Sequence, residues 1–257
     1  MQDSFTLFLI VGFLAQIVDG ALGMAYGVVS SSVLLAFGVP PAAASASVHM
    51  AEVFTTAASA GSHVWHRNVN WQLFRVLAPV GIAGGVLGTY VITSIDGDVL
   101  KPYVAGYLGI MGLYILYRAF RKMTPIDQHK VALVVPLGAV GGFMDAVGGG
   151  GWGPVVTTGL VGSGGAPREV IGTVNTVEFF LTAAISAAFL TAILTGHWTE
   201  TEGLLSHAWA VAGLIVGGVI AAPMAGYVTR ILPQKYLMIA VGTLITLLAA
   251  YQTSRLL

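Results

Sequence analysis

Four acidic side chains stand inside long apolar stretches of this sequence: Asp19, Glu52, Asp145 and Glu178. They form two pairs, because Asp145 and Glu178 follow Asp19 and Glu52 by 126 positions. No Lys or Arg stands in the four stretches that hold them. An ionisable group at membrane depth costs on the order of 2.5–3.5 kcal/mol, so such groups generally face a cavity or a partner. The acids therefore predict a polar pathway in which carboxyl groups carry or sense protons.

Each acid also has a structural interpretation. A glutamate can bond backbone groups that a nearby helix break leaves free, and an aspartate beside glycines can tie a turn by accepting backbone N–H groups. His49 and Asn175 stand three residues before Glu52 and Glu178, which puts each pair on one helix face. The same polar stripes include Ser45, Ser47 and Thr173.

The stretch 145–154 reads DAVGGGGWGP, which is an unusual run for an apolar segment. Glycine lets a ligand approach the main chain, and unwound backbone next to a helix N-terminus offers N–H groups and a positive dipole end. Pro154 suits the first turn of the following helix, where its missing N–H costs nothing. Such a break can bind a small anion without a basic side chain. Glycines that serve only close helix packing explain a run of four glycines less well.

A weaker form of the same break, DGALGMAYG, occupies residues 19–27. Tyr26 and Trp152 stand at equivalent positions in the two breaks, where they could wall a site and donate O–H or N–H groups. The predicted substrate-binding residues are Gly23, Ala25, Tyr26, Gly27, Ser47, His49, Gly149, Gly150, Gly151, Trp152, Gly153, Thr173 and Asn175. For Asp19 and Asp145, the sequence leaves two roles open: support of a turn and proton coupling.

The composition is that of an integral membrane protein. Of 257 residues, 56% are hydrophobic and 9% are charged, against roughly 25% charged residues in soluble domains. A net charge of zero gives no case for nucleic acid binding, and the absence of cysteine excludes disulfides and thiolate chemistry. The first residues lack the Lys or Arg of a cleaved signal peptide, so we expect residues 1–20 to belong to the mature fold.

Apolar stretches long enough to enter a bilayer follow one another along the chain. They cover residues 5–37, 42–65, 73–93, 99–117, 131–161, 170–195, 208–228 and 236–251. The chain also repeats itself. From Gly12 to Ala58 an offset of 126 needs no gap, and a later block aligns Gly84 and Gly85 with Gly217 and Gly218 at an offset of 133. We therefore predict an all-α polytopic membrane protein of two homologous four-segment halves, residues 1–122 and 130–257, with a link over 123–129.

The charges of the loops favour inverted halves. Basic residues make the central link 118–130 cytoplasmic. If 131–161 dips into the membrane and returns, Arg168 lies inside and the acidic loop 200–202 outside, and Lys101 is the only charged loop residue on the unexpected side. A single crossing by 131–161 gives a poorer charge distribution and parallel halves. We therefore predict that each half opens with a glycine-broken re-entrant hairpin.

Residues 138–175, GAVGGFMDAVGGGGWGPVVTTGLVGSGGAPREVIGTVN, resemble the signature of the TauE/SafE sulfite-exporter family. That signature is a glycine cluster followed by a proline, an apolar run, a short Gly/Pro turn and a small-residue helix with a threonine. The residues that carry the match are Gly148, Gly149, Gly150, Gly151, Pro154, Pro167 and Thr173. The first half departs from it, because residues 23–27 hold fewer glycines and Val28 replaces the proline.

The resemblance implies two related halves and transport of a small sulfur-containing or organic anion, such as sulfite, thiosulfate or sulfoacetate, across a bacterial inner membrane. Export and uptake both occur in the family. From the residues alone, a cation or divalent-metal carrier that uses His49, Glu52 and Glu178 stays an alternative. We expect no enzyme, since the chain has neither H-E-x-x-H nor a recognised nucleophile pattern. We also expect no cofactor and no ATP-driven motor, and the expected partners are a small anion and the lipid bilayer.

Overall fold

The computed structural model describes residues 2–121, 131–163, 165–199, 208–231 and 233–256. Ten helices make up the described chain: α1 Gln2–Leu22, α2 Tyr26–Ala36, α3 Pro41–Trp65, α4 Trp71–Ser94, α5 Gly97–Ala119, α6 Val131–Gly148, α7 Gly153–Gly162, α8 Pro167–Leu194, α9 Ala208–Ile231 and α10 Gln234–Leu256. The predicted all-helical class is confirmed. The link over 123–129, with Lys122 and Lys130, and the acidic loop 200–202 lie outside the described residues.

The helix starts follow local sequence signals. Pro41 and Pro167 occupy the first turns of α3 and α8, where a missing N–H costs nothing. Asn70 caps α4 by accepting from Gln72 N and Leu73 N at 3.1 and 3.0 Å, and Asp96 caps α5 through Asp98 N. These signals give α3, α4, α5 and α8 well-defined first residues.

Four described helices, α4, α5, α8 and α10, are long and apolar enough to cross a membrane. Their outer faces carry large apolar side chains with no protein neighbour over much of their surface, such as Ile110 and Leu247, which are 64% and 63% exposed. The interior holds buried polar groups beside apolar side chains such as Leu77 and Ile185. An apolar outer surface around such an interior fits a protein whose outer surface contacts lipid.

Both glycine breaks fold the chain back on itself. In the second half, a Cβ on Gly141 would contact Val156, and one on Gly159 would lie 2.8 Å from Leu137 Cδ2, so α7 runs antiparallel to α6. In the first half, the rings of Phe8 and Phe37 lie 5.7 Å apart, which places the end of α2 beside the start of α1. Each predicted half therefore opens with a helix hairpin.

Helix α1 continues through Asp19 and Gly20, the first residues of the predicted break 19–27, and ends at Leu22. Gly20 does not end α1, because a single glycine is tolerated in a membrane helix. The helix stops only before Gly23, whose φ of 67° is left-handed. The hairpin arms are therefore unequal, since α1 has 21 residues and α2 has 11.

The two halves interlock through their first helices. Helix α1 packs mainly against α9, and α6 packs mainly against α4. Glycines make these contacts close: a Cβ on Gly217 would lie 2.8 Å from Phe13 N, and one on Gly88 would lie 2.6 Å from Phe143 O. The glycine pairs at 84–85 and 217–218 thus serve helix packing.

Repeat-related helices meet each other in antiparallel pairs. The hydroxyls of Thr56 in α3 and Thr182 in α8, which are 126 positions apart, lie 3.5 Å from each other. A Cβ on Gly112 of α5 would lie 2.8 Å from Thr246 N of α10, whereas one on Gly109 would touch Ala249. Further along the first pair, His63 of α3 lies beside Asn175 of α8, so α3 and α8 also run in opposite directions.

Candidate functional site

The two glycine breaks lie directly against each other. A Cβ on Gly27 would lie 2.7 Å from the Cα of Gly150, and one on Gly153 would lie 2.6 Å from the Cα of Met24. Thr157 Oγ1 donates to the Gly23 carbonyl at 3.0 Å. Bare backbone on both sides allows this approach. The structure thus brings the predicted binding residues of both breaks, 23–27 and 149–153, into one buried centre.

The breaks hold backbone conformations that favour glycine. Gly23 and Gly149 have φ values of 67° and 64°. Ala25 has φ 143°, which is rare for a residue with a side chain. Ala25 persists there because the surrounding contacts fix the turn, a situation typical of functional sites.

Asp145 ties the second break. Its Oδ1 accepts from Gly151 N at 2.7 Å and from Trp152 N at 2.9 Å. Asp19 has the same relation to the first break in weaker form, since its Oδ1 accepts from Tyr26 N at 3.4 Å. The turn-support interpretation of both aspartates therefore describes their contacts, and the N–H groups of each break bind a carboxyl oxygen.

His49 and Glu52 join Asp145 from the neighbouring helix α3. His49 Nε2 lies 3.2 Å from Asp145 Oδ2, and its Nδ1 lies 2.7 Å from the Ser45 carbonyl. One ligand-capable atom from each of His49, Glu52 and Asp145 lies within 4.8 Å of the other two. All three side chains are buried, at 0%, 3% and 2% exposure.

Glu178 is the fourth of the buried acids, but it does not belong to the trio of His49, Glu52 and Asp145. Its carboxyl is 6% exposed and lies within electrostatic range of Asp19, Glu52 and Asp145. Within the described residues its Oε2 has no hydrogen-bond partner. The four acids that the sequence singled out thus form one cluster around the facing breaks.

Asn175 and Thr173 lie away from the breaks. Asn175 Nδ2 lies 3.3 Å from His63 Nε2, and Thr173 Oγ1 accepts from Asn70 N at 2.8 Å. Both side chains therefore contact the end of α3 and the loop after it. Ser47, the counterpart of Thr173, is fully buried, and its hydroxyl has no partner among the described residues.

The donors of Tyr26 and Trp152 are already used. Tyr26 Oη donates to the Leu214 carbonyl at 2.9 Å, and Trp152 Nε1 donates to the Val174 carbonyl at 3.1 Å. Both side chains wall the centre as predicted, at 2% and 0% exposure. Their polar atoms, however, anchor the breaks to α9 and α8 because those carbonyls lie within reach.

Sequence reasoning missed two side chains that hold the second break. Ser31 Oγ donates to the Gly149 carbonyl at 2.6 Å, and Tyr107 Oη donates to the Gly150 carbonyl at 3.1 Å. Tyr107 has no polar counterpart in the second half, but Ser31 aligns with Thr157 at the offset of 126, and that repeated hydroxyl pair was the signal that could have found it. They satisfy carbonyls that the unwound backbone leaves without a helical partner.

Two cavities open elsewhere in the described structure. One, of about 680 Å³, is lined by Gly38, Lys101, Gln252 and Arg255. The other, of about 740 Å³, lies between α4 and α8 beside Tyr90 and His197. Neither is lined by a residue of the glycine breaks, which are closed on each other in this conformation.

Apolar helices, paired helix hairpins and buried acids at their meeting point define a polytopic membrane transporter. The profile of the family described as Sulfite exporter TauE/SafE matches residues 8–252. The chain belongs to this family, and it is a transporter rather than an enzyme. The predicted resemblance is thereby confirmed.

Two curated relatives are similar to the chain. It is 43% identical over 250 residues to the "Probable membrane transporter protein YtnM" of Bacillus subtilis (strain 168), covering 95% of this chain and 81% of that protein. It is 27% identical over 156 residues to the "Probable membrane transporter protein ORF9" of Sinorhizobium sp, covering 59% of each chain. No solved structure matches the chain significantly.

Proposed function

We propose that the chain is a secondary transporter of small anions, namely sulfur oxyanions or organosulfonates such as sulfite, thiosulfate or sulfoacetate, in a bacterial plasma membrane. The family description names a sulfite exporter, and the curated relatives are named as probable membrane transporters. The substrate passes between the two halves, where the glycine breaks face each other.

One observation carries this proposal: the backbone N–H groups of the second break already bind a carboxyl oxygen. Asp145 Oδ1 accepts from Gly151 N and Trp152 N, and this contact needs no Lys or Arg. Backbone N–H groups at the start of a helix suit oxyanions for the same reason. The break N–H groups thus have the geometry to bind a substrate oxyanion once the two breaks separate.

The buried acids supply the coupling in this proposal. An anion that passes four carboxyl groups is repelled unless those groups are neutralised, and a proton on Glu178 or Glu52 does so. Substrate and proton then travel together or exchange. The closed packing of Gly27 on Gly150 represents one side of an alternating-access cycle.

We further propose that the halves are inverted and that the central link lies in the cytoplasm. The antiparallel contacts of α3 with α8 and of α5 with α10 support a two-fold axis in the membrane plane. The C-terminal end of α5 lies beside the start of α10, since Lys235 Nζ lies 4.9 Å from the ring centre of Phe120. This end of the bundle also holds Arg118 and Arg121, as a cytoplasmic face requires.

Counterflow in proteoliposomes tests the transport proposal. Vesicles loaded with sulfite, thiosulfate, sulfoacetate or acetate are diluted into the labelled form of the same anion. We expect counterflow of at least one sulfur oxyanion or sulfonate above protein-free vesicles and above acetate. Equal traces for all four anions and for empty vesicles would rule the proposal out.

A further inference from the structure

We infer that His49, Glu52 and Asp145 form a binding site for one divalent cation with nitrogen and oxygen ligands, of the Mn²⁺ or Zn²⁺ type. The trio lies where α3 meets the end of α6, beside the facing breaks. One ligand-capable atom from each residue lies within 4.8 Å of the other two. Cation binding does not depend on the proposed anion transport. The role of the cation in the anion pathway does rest on that proposal.

The orientation of His49 points to a ligand. Its Nδ1 lies 2.7 Å from the Ser45 carbonyl, which can only accept, so Nδ1 carries a hydrogen and donates. The other ring nitrogen, Nε2, faces Asp145 Oδ2 at 3.2 Å. A proton or a metal ion between these two atoms completes this contact. A ring N–H that donates to a backbone carbonyl is the arrangement found behind metal-bound histidines.

The two carboxyl groups of the trio differ in their contacts. Asp145 Oδ1 is fixed by Gly151 N and Trp152 N, which leaves Oδ2 directed at His49. Glu52 is 3% exposed, and its Oε2 has no partner among the described residues. A buried carboxylate oxygen without a partner is costly, and a cation at the centre of the trio removes that cost.

One pair of ligand atoms in the trio already has the spacing that a small ion needs. Metal–ligand bonds of about 2.0–2.2 Å place neighbouring ligands of a tetrahedral ion about 3.3–3.6 Å apart. His49 Nε2 and Asp145 Oδ2 are 3.2 Å apart, and the Glu52 ligand atom, within 4.8 Å of both, would move towards the ion on binding. One imidazole and two carboxylates suit Zn²⁺ and Mn²⁺ better than Ca²⁺, which takes six to eight oxygens.

The second half has no equivalent trio, because Asn175 stands where His49 stands in the first half. The amide of Asn175 is directed at His63 rather than at an acid. One cation per chain is therefore expected. In the proposed anion pathway, its two positive charges offset the carboxylates that a substrate anion must pass.

Calorimetric titration of the purified, chelator-treated protein with Zn²⁺ and with Mn²⁺ tests the site. We expect one ion per chain. Glu52→Gln and His49→Gln should each weaken binding by at least about 10- to 100-fold, the loss typical of disturbing a metal's supporting shell. The surface variant His66→Gln should change the affinity by less than about threefold.

Either of two results overturns the site: neither ion binds to the wild-type protein, or Glu52→Gln and His49→Gln both leave the affinity unchanged. Each variant is compared with wild type for elution volume and melting temperature, and if Glu52→Gln does not fold, His49→Gln and the wild-type titration still decide. A negative result in the cation titration would not contradict a positive result for anion counterflow. Loss of counterflow with normal cation binding would instead overturn only the transport proposal.

Discussion

Arg168 donates from Nε to Oδ1 of Asn68 at 2.6 Å, although 100 residues separate the two. Its second guanidinium nitrogen donates to the His66 carbonyl at 3.2 Å. The loop between α3 and α4 and the start of α8 therefore lie at the same end of the bundle. A single membrane crossing by α6 and α7 would place these two loops on opposite membrane faces, so this contact supports the re-entrant hairpin.

Cysteine labelling checks this topology, because the chain has no cysteine of its own. We expect Arg67→Cys and Ala166→Cys to react with a membrane-impermeant maleimide only from the cytoplasmic side. Asp98→Cys should react only from the outside, and all three positions are exposed. Labelling of Arg67→Cys and Ala166→Cys from different sides would exclude the hairpin.

Gly150→Ala should disrupt the meeting of the breaks. The new Cβ would lie 2.8 Å from Gly27 Cα and closer still to the Val28 nitrogen, and overpacking of this kind costs about 1–3 kcal/mol. We expect a lower melting temperature in detergent and loss of anion counterflow. Gly106→Ala is the matched control, because its Cβ meets nothing within 4 Å. Equal effects of the two substitutions would show that the breaks do not depend on this close approach.

Asp145→Ala should destabilise the protein more than Asp145→Asn. Alanine leaves Gly151 N and Trp152 N buried without an acceptor, at about 1–3 kcal/mol for each group, whereas asparagine keeps a carbonyl oxygen. We expect alanine to cost about 2 kcal/mol or more and asparagine about half of that, measured by thermal unfolding in detergent. Equal melting temperatures for the two variants would remove the turn-support role of this carboxylate.

Glu178→Gln should flatten the pH dependence of anion counterflow. The glutamine keeps the size of the side chain but cannot exchange a proton, so a transport step that needs this proton loses its response to pH. Counterflow rates measured from pH 5.5 to 8.5 in wild-type and variant vesicles check this. Parallel profiles for the two proteins would assign proton coupling elsewhere.

Much of this architecture follows from the sequence. The offset of 126 positions located both breaks and both pairs of acids, and Pro41 and Pro167 marked the starts of α3 and α8. These features depend on local backbone chemistry, which the sequence carries directly. The length of α1 was less predictable, since a lone Gly20 reads as a break but is tolerated inside a helix.

The partners across helices were not predictable. The i, i+3 spacing correctly places His49 and Glu52 on one face of α3, yet it cannot say that Asp145 of α6 completes the set rather than Glu178. That choice is made by the crossing of α3 with α6. The same limit applies to Tyr107, whose hydroxyl reaches Gly150 only because α5 passes the second break.

The interlocked first helices bear on the origin of the chain. Neither predicted half encloses its own first helix, since α1 lies on α9 and α6 lies on α4. A half-length protein would leave these glycine-lined faces open, and only a second copy running the opposite way would cover them. On the proposed inverted repeat, the chain has the geometry of two oppositely inserted subunits joined by gene fusion. Once fused, each half keeps one fixed orientation, and its sequence can diverge from that of the other half. His49, whose counterpart in the second half is Asn175, is an example of this divergence.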